Sequence, residues 1–213
     1  MYHLVNANID HLLATIQPPE DLAPYIWMLQ ELPSPGAIQS PTFQKTFSKY
    51  WAMNAAHLGA GFKAQYFEIL LDESKHAQRR CDVETITKRL LEIDVNSKGK
   101  ALEFSFATKL VHMLDPTLPV YDTRVESFYF LPRSYSGTHE VKLKNLLCSY
   151  DFLIREYARV LRDELLAPAI SECRRRFNLT AIYTDQKVID TLIWKFVPML
   201  EHGAIRDGTV AYK

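Results

Sequence analysis

The segment "LPVYDTRVESFYF", residues 118–130, sets a single carboxylate where a turn of the chain meets the next helix. An aspartate in that position has two uses. Its oxygens can accept hydrogen bonds from the free N–H groups of the helix that follows, as an N-cap. A carboxylate held ionised by those same groups beside a cleft can also stabilise a developing sugar cation or orient a water molecule. Asp122 is therefore a candidate catalytic carboxylate and a candidate cap, and its type and position fit both.

Residues that could act with it lie upstream. In "LEFSFATKLVHML" the side chains of Ser105, Thr108, Lys109 and His112 fall at i, i+3, i+4 and i+7, while almost every other position is apolar. Such a polar stripe on an otherwise buried helix either faces solvent or lines a cleft. In a cleft, Lys109 would be a nucleophile or a charge clamp, and His112 a pocket residue. Earlier still, "IDVNSKGK" brings Lys98, Gly99 and Lys100 into a turn that reads as a phosphate seat or as a plain solvated αα-hairpin, with Ser97 able to cap the second helix. Tyr50, Trp51, Tyr66, Phe106 and Tyr121 are candidates for an aromatic pocket wall and equally for the core.

These residues need a scaffold, and the apolar spacing specifies one. Val83, Ile86, Leu90 and Ile93 recur at three or four residues, as do Ile154, Tyr157, Leu161 and Leu165; "DQKVIDTLIWKFVPML" repeats the pattern. No pair of alternating runs is joined by Asn-Gly or Asp-Gly, so a sheet of any size is not expected and the class is all-α. Prolines at 18, 19, 24, 33, 35 and 41 divide the N-terminal stretch into short helices. The 213 residues suffice for one domain, with a central helix-turn-helix unit and the Asp122 core at about 84–130, and the two chain ends packing around a cleft.

Composition narrows the function classes. Lys plus Arg and Asp plus Glu each number 25, which argues against a strongly basic nucleic-acid protein and leaves any such role to local features. Cys81, Cys148 and Cys173 lie too far apart for a zinc knuckle or a four-cysteine cluster, and a metal hydrolase using His57, His112 and acids has no H-x-x-x-H spacing behind it. No cofactor, metal or membrane partner is expected. With no long apolar run and no basic leader at the N-terminus, a cytoplasmic location is expected.

Helix, tight turn, helix and "PVYDTRV" together resemble the core of the helix-hairpin-helix DNA glycosylase superfamily, over roughly residues 84–128. The family's pattern there is "V-D-T-H-V"; this chain inserts Tyr121 and carries Arg124 in place of histidine. Its hairpin keeps Gly99 but lacks the usual L-P-G-V-G, and the family's iron–sulfur loop is absent. The resemblance implies a glycosylase-like helical fold, with Asp122 as the catalytic aspartate and Lys100, just after the hairpin, at the place of the nucleophilic lysine. Lys109 lies over two turns further on. It also implies a DNA partner, with Lys98, Gly99, Lys100 and Arg124 near the backbone. A flipped base would then be held by Tyr50, Trp51, Phe106, Tyr121 and His112. Hydrolysis of the N-glycosidic bond of a damaged or modified base is the expected reaction. The eroded hairpin directs attention to specialised, bulky bases such as those of phage DNA. The rival expectation is a non-catalytic helical module that binds DNA or a protein.

Overall fold

The computed structural model describes residues 1–75, 82–97, 99–132 and 136–205. The chain is all-α, as its apolar periodicity requires. Five short helices open it: α1 (Tyr2–Ala7), α2 (Ile9–Ala14), α3 (Pro18–Asp21), α4 (Ala23–Glu31) and α5 (Pro41–Tyr50). Proline occupies the first turn of α3, α4 and α5, where its missing N–H costs nothing. Next come α6 (Ala60–Ser74) and α7 (Val83–Leu91), the latter capped by the Asp82 carboxylate, which accepts from the Thr85 N–H.

Between α7 and α8 (Phe104–Leu114) the chain does not make the expected plain turn. It forms a small antiparallel hairpin, β1 (Asp94–Asn96) and β2 (Gly99–Lys100), with an irregular register. Two contacts explain it. The Gly59 N–H donates to the Val95 carbonyl at 2.7 Å, fixing β1 against the start of α6, and Gly99 sits at φ +93°, which glycine adopts without strain. Ser97 consequently belongs to the hairpin and caps no helix; α8 begins after Glu103.

Helix α8 is the centre of the core. Phe104, Phe106, Ala107, Leu110, Val111 and Met113 are all buried. Helix α9 (Thr123–Tyr129) packs on α12 (Asp185–Glu201); α10 (His139–Arg162), about 36 Å long at 1.5 Å per residue, and α11 (Ala167–Phe177) lie between them in sequence. The buried face of α10 is centred on Leu153, Tyr157 and Val160, so Ile154 and Leu161 fall at its edge rather than in its middle. Helix α2 contacts both α11 and α12, and α1 contacts α11, which brings the two ends of the described chain together. Among the described residues no helix is long and apolar enough to cross a membrane.

Helix α9 ends on Phe130, whose backbone is left-handed (φ 53°) and whose side chain is 74% exposed. The N–H groups of Phe130 and Leu131 donate to the carbonyls of Ser127 and Glu126, closing the helix in the geometry that glycine usually serves. Phe130→Gly removes the left-handed penalty and loses little packing. It is expected to raise stability by about 0.5–1 kcal/mol, measured by urea unfolding.

Candidate functional site

Asp122 reaches its position on an extended segment that has no strand beside it. Backbone groups in such a segment need partners, and side chains from the surrounding helices supply them. The Thr184 hydroxyl donates to the Pro116 carbonyl at 2.7 Å, and the Tyr150 hydroxyl to the Pro119 carbonyl at 3.0 Å. His112 Nδ1 lies 2.6 Å from the Leu118 carbonyl, and the Tyr121 N–H donates to the Thr108 hydroxyl at 3.1 Å. The Asp122 carboxylate then accepts from the N–H groups of Arg124 and Val125, both at 3.0 Å, and caps α9. Both uses open to an aspartate at this position remain compatible: Asp122 is a cap, and it also lines a cavity.

That cavity has a volume of about 1060 Å³ and is walled by α5, α8, the start of α9, and α12. It brings together Asp122, Lys109, Arg124, Tyr50, Trp51, Phe106 and Tyr121. Other expected site residues lie elsewhere. His112 is fully buried: since a carbonyl can only accept, Nδ1 carries the proton, and Nε2 accepts from the Tyr25 hydroxyl at 2.8 Å. It is a core histidine rather than a pocket residue, because the extended segment needs its N–H. Tyr66 is likewise interior, its hydroxyl bonded to the Phe106 carbonyl. Lys100 and Gly99 sit on the hairpin and do not line the cavity, and Lys100 pairs with Glu92 at 2.8 Å. Lys98 lies outside the described residues. The polar stripe of α8 is divided between two environments: Ser105 and Lys109 line the cavity, while Thr108 and His112 hold the extended segment.

Several cavity residues had no place in the sequence reading. Asp190 of the cavity wall forms a buried ion pair at 2.6 Å with Lys187, which stands three residues earlier on α12 and outside the lining. The Lys187 ammonium lies 5.0, 5.5 and 4.9 Å from the ring centres of Tyr25, Tyr50 and Trp51. The signal was two opposite charges among Val188, Ile189, Leu192 and Ile193, all buried. At the mouth, the Arg124 guanidinium stacks 3.5 Å above the Trp194 ring and donates to the Trp194 carbonyl at 2.7 Å. Exposed Lys45 and Lys49 stand one turn apart on α5.

Charges around the cavity nearly balance. Glu20, Asp21, Glu103, Asp122, Glu126 and Asp190 face Lys45, Lys49, Lys109, Arg124 and Lys195. Burial raises the pKa of Asp122, and the nearby Asp190 raises it further; the Val125 and Arg124 N–H groups and Lys109 only partly offset this. Burial lowers the pKa of Lys109 against the attraction of Asp122 and Asp190. Its ammonium lies 4.4 Å from the Phe106 ring centre, and no carboxylate among the described residues is within ion-pair distance. Lys187 behaves in the opposite way: burial lowers its pKa, but Asp190, Tyr183 and Tyr25 more than restore it, so it stays charged. Burial thus favours the neutral amine of Lys109 more than water would.

No family model, curated protein or solved structure matches the chain. Among the described residues no group of three His, Cys, Asp or Glu side chains is arranged to hold a metal ion. Arginines of α10 and α11 are held by nearby acids: Arg159 by Glu156, Arg162 by Asp163, Arg174 by Asp185 at the start of α12 and Arg175 by Glu172.

Two predictions follow from the electrostatics. Because the folded-state pKa of Asp122 is raised, the native protein binds its proton more readily than the unfolded chain, and this group's contribution to stability falls as pH rises through that value. Asp122→Asn keeps the cap and removes the buried charge, so at neutral pH it is expected to unfold no more easily than wild type, whereas Asp122→Ala loses about 1 kcal/mol or more with the cap. Thermal unfolding of both variants at pH 7 checks the order. For His112, burial pushes the pKa down to about 3 from 6.5, so its contribution is intact above pH 6.5 and is lost as pH falls toward 3. The loss is expected to reach a few kcal/mol, and His112→Gln should flatten the stability profile in that window while lowering stability at neutral pH.

Proposed function

We propose that the cavity receives a base turned out of a DNA duplex and that Asp122 assists cleavage of its N-glycosidic bond. The observation that carries this reading is the single cavity shared by the Asp122 carboxylate, the Lys109 ammonium and the rings of Tyr50, Trp51, Phe106 and Tyr121. Its volume is at the upper end for small-ligand pockets, ample for an enlarged base. Aromatic walls suit a flat heterocycle, and a flipped nucleotide is the form in which a duplex presents one.

In the reaction the bond between C1′ and the base nitrogen breaks, the electron pair leaves with the base, and positive charge develops on the sugar. Asp122, held by two N–H groups, stabilises that charge, and water adds to C1′ as its proton is released. Lys109 offers a second course. Its neutral amine can attack C1′ in place of water as the base departs; the nitrogen then gives up a proton, the C1′–O4′ bond opens with its electron pair on O4′, which takes a proton, and a protonated imine links lysine and sugar. The wall has more acids than cations, so it suits a base and a sugar cation better than phosphate. Arg124, Lys45 and Lys49 at the rim are the groups available to the DNA backbone.

Base release from duplexes carrying damaged, methylated, hydroxymethylated or glucosylated bases, read as alkali-labile strand breaks, tests the proposal. Asp122→Asn is expected to reduce release by about 10²–10³-fold, the cost of losing one charge-stabilising group. A borohydride-trapped adduct present in wild type and missing in Lys109→Gln would select the amine course. Salt-sensitive DNA binding without release from any substrate would instead identify a non-catalytic DNA-binding module.

A further inference from the structure

The wall of the cavity carries six acids, and most of them are committed. Asp21 pairs with Lys195 and Asp190 with Lys187, each at 2.6 Å, Asp122 accepts from two N–H groups, and Glu126 is engaged as well. Glu20 is exposed. Glu103 differs from all of these: it lines the cavity half-buried, and among the described residues no hydrogen-bond donor or cation is bonded to its carboxyl group. Its place in the chain explains the freedom. Asp82, Asp122, Thr138 and Thr184 stand at the starts of other helices and turn a side-chain oxygen back to the backbone N–H groups. At the start of α8 Glu103 does not; only its carbonyl serves the helix, accepting from the N–H groups of Phe106 and Ala107 at 3.0 and 3.1 Å. The carboxyl group is thereby left available to the cavity that Glu103 lines.

A neutral base that breaks its bond to C1′ takes the electron pair with it and leaves as an anion unless a proton arrives. In a wall with more acids than cations an anion is poorly received. We infer that Glu103 is the general acid of the proposed reaction, its carboxyl proton passing to a nitrogen or oxygen of the base as the C1′–N bond breaks. The base then leaves neutral, Glu103 is left as a carboxylate, and water adding to C1′ returns a proton to it. This deepens the proposed function and rests on its placing of a base in the cavity: Asp122 stabilises the charge that develops on the sugar, and Glu103 cancels the charge that would develop on the base. Burial favours the protonated form and raises the pKa of Glu103, and Lys109 on the same helix only partly offsets this. The remaining charges of the wall are bonded as above, stacked on Trp194 (Arg124) or exposed at the rim (Lys45 and Lys49).

The test is the pH profile of single-turnover release, measured with the full chain over about pH 5–9 on each duplex of the panel from which it releases a base, and corrected for release without protein. Wild type is expected to slow about tenfold per pH unit once past a midpoint that lies above the 4.5 of an ordinary glutamate, as the acid loses its proton. Glu103→Gln is expected to release base about 10²-fold or more slowly at the low end and to lose the falling limb; Glu103→Asp, which keeps a carboxyl group, retains a falling limb at a reduced rate. The wild-type profile needs no variant. Release that does not fall with pH would overturn the role of Glu103 and leave Asp122 and the base cavity standing, as would a Glu103→Gln protein, slowed or not, that keeps the wild-type limb. Failure to release a base from any duplex would overturn the proposed function and this assignment together.

Discussion

The structure depends on a buried strand-like segment that has no sheet. Residues 116–122, a turn followed by an extended run and buried at 118–121, have no ladder, yet their peptide groups need partners as much as those of any strand. Helix α8 contributes Thr108 and His112, α10 contributes Tyr150, and Thr184 stands at the threshold of α12. The path of the segment is set by side chains from three parts of the chain, and Asp122 is placed where that path ends and α9 begins. A carboxylate supported in this way is held at two levels, by the N–H groups it caps and by the backbone that delivers it.

At that site the chain buries Lys109, Lys187 and Asp190 and half-buries Asp122, and their fates differ. Lys187 and Asp190 neutralise one another at 2.6 Å beneath three aromatic rings. Asp122 and Lys109 have no such direct pairing, so burial draws each toward its uncharged form. One pair is structural in character and the other retains chemical freedom, although Asp122, Lys109 and Asp190 line the same cavity. Desolvation without a close partner is the condition under which active-site groups acquire unusual acidity.

What the sequence made legible was periodic or local. The all-α class follows from apolar spacing, and the cap role of Asp122 from the residue type at a helix start. The course of α8 through the core was readable from its nearly complete apolar circumference. Long-range pairing was not readable. His112 has the appearance of a pocket residue until the Leu118 carbonyl and the Tyr25 hydroxyl are seen to take both its nitrogens. Lys100 is favoured by its nearness to the hairpin, but folding turns it toward Glu92. Asp190 and Trp194 enter the cavity only because α12 returns to α9, a contact for which no local pattern stands.

That return has a consequence for the order in which the molecule takes shape. Lys195 on α12 pairs with Asp21 at 2.6 Å and donates to the carbonyl of Thr15, a contact spanning 180 positions of sequence. Contacts of such separation carry a loop-closure cost before they return any stabilisation, and they form late. During synthesis the N-terminal helices leave the ribosome long before their C-terminal partner exists. Their apolar faces must wait, and the cavity lined by Asp122, Lys109 and Asp190 is incomplete until α12 is in place.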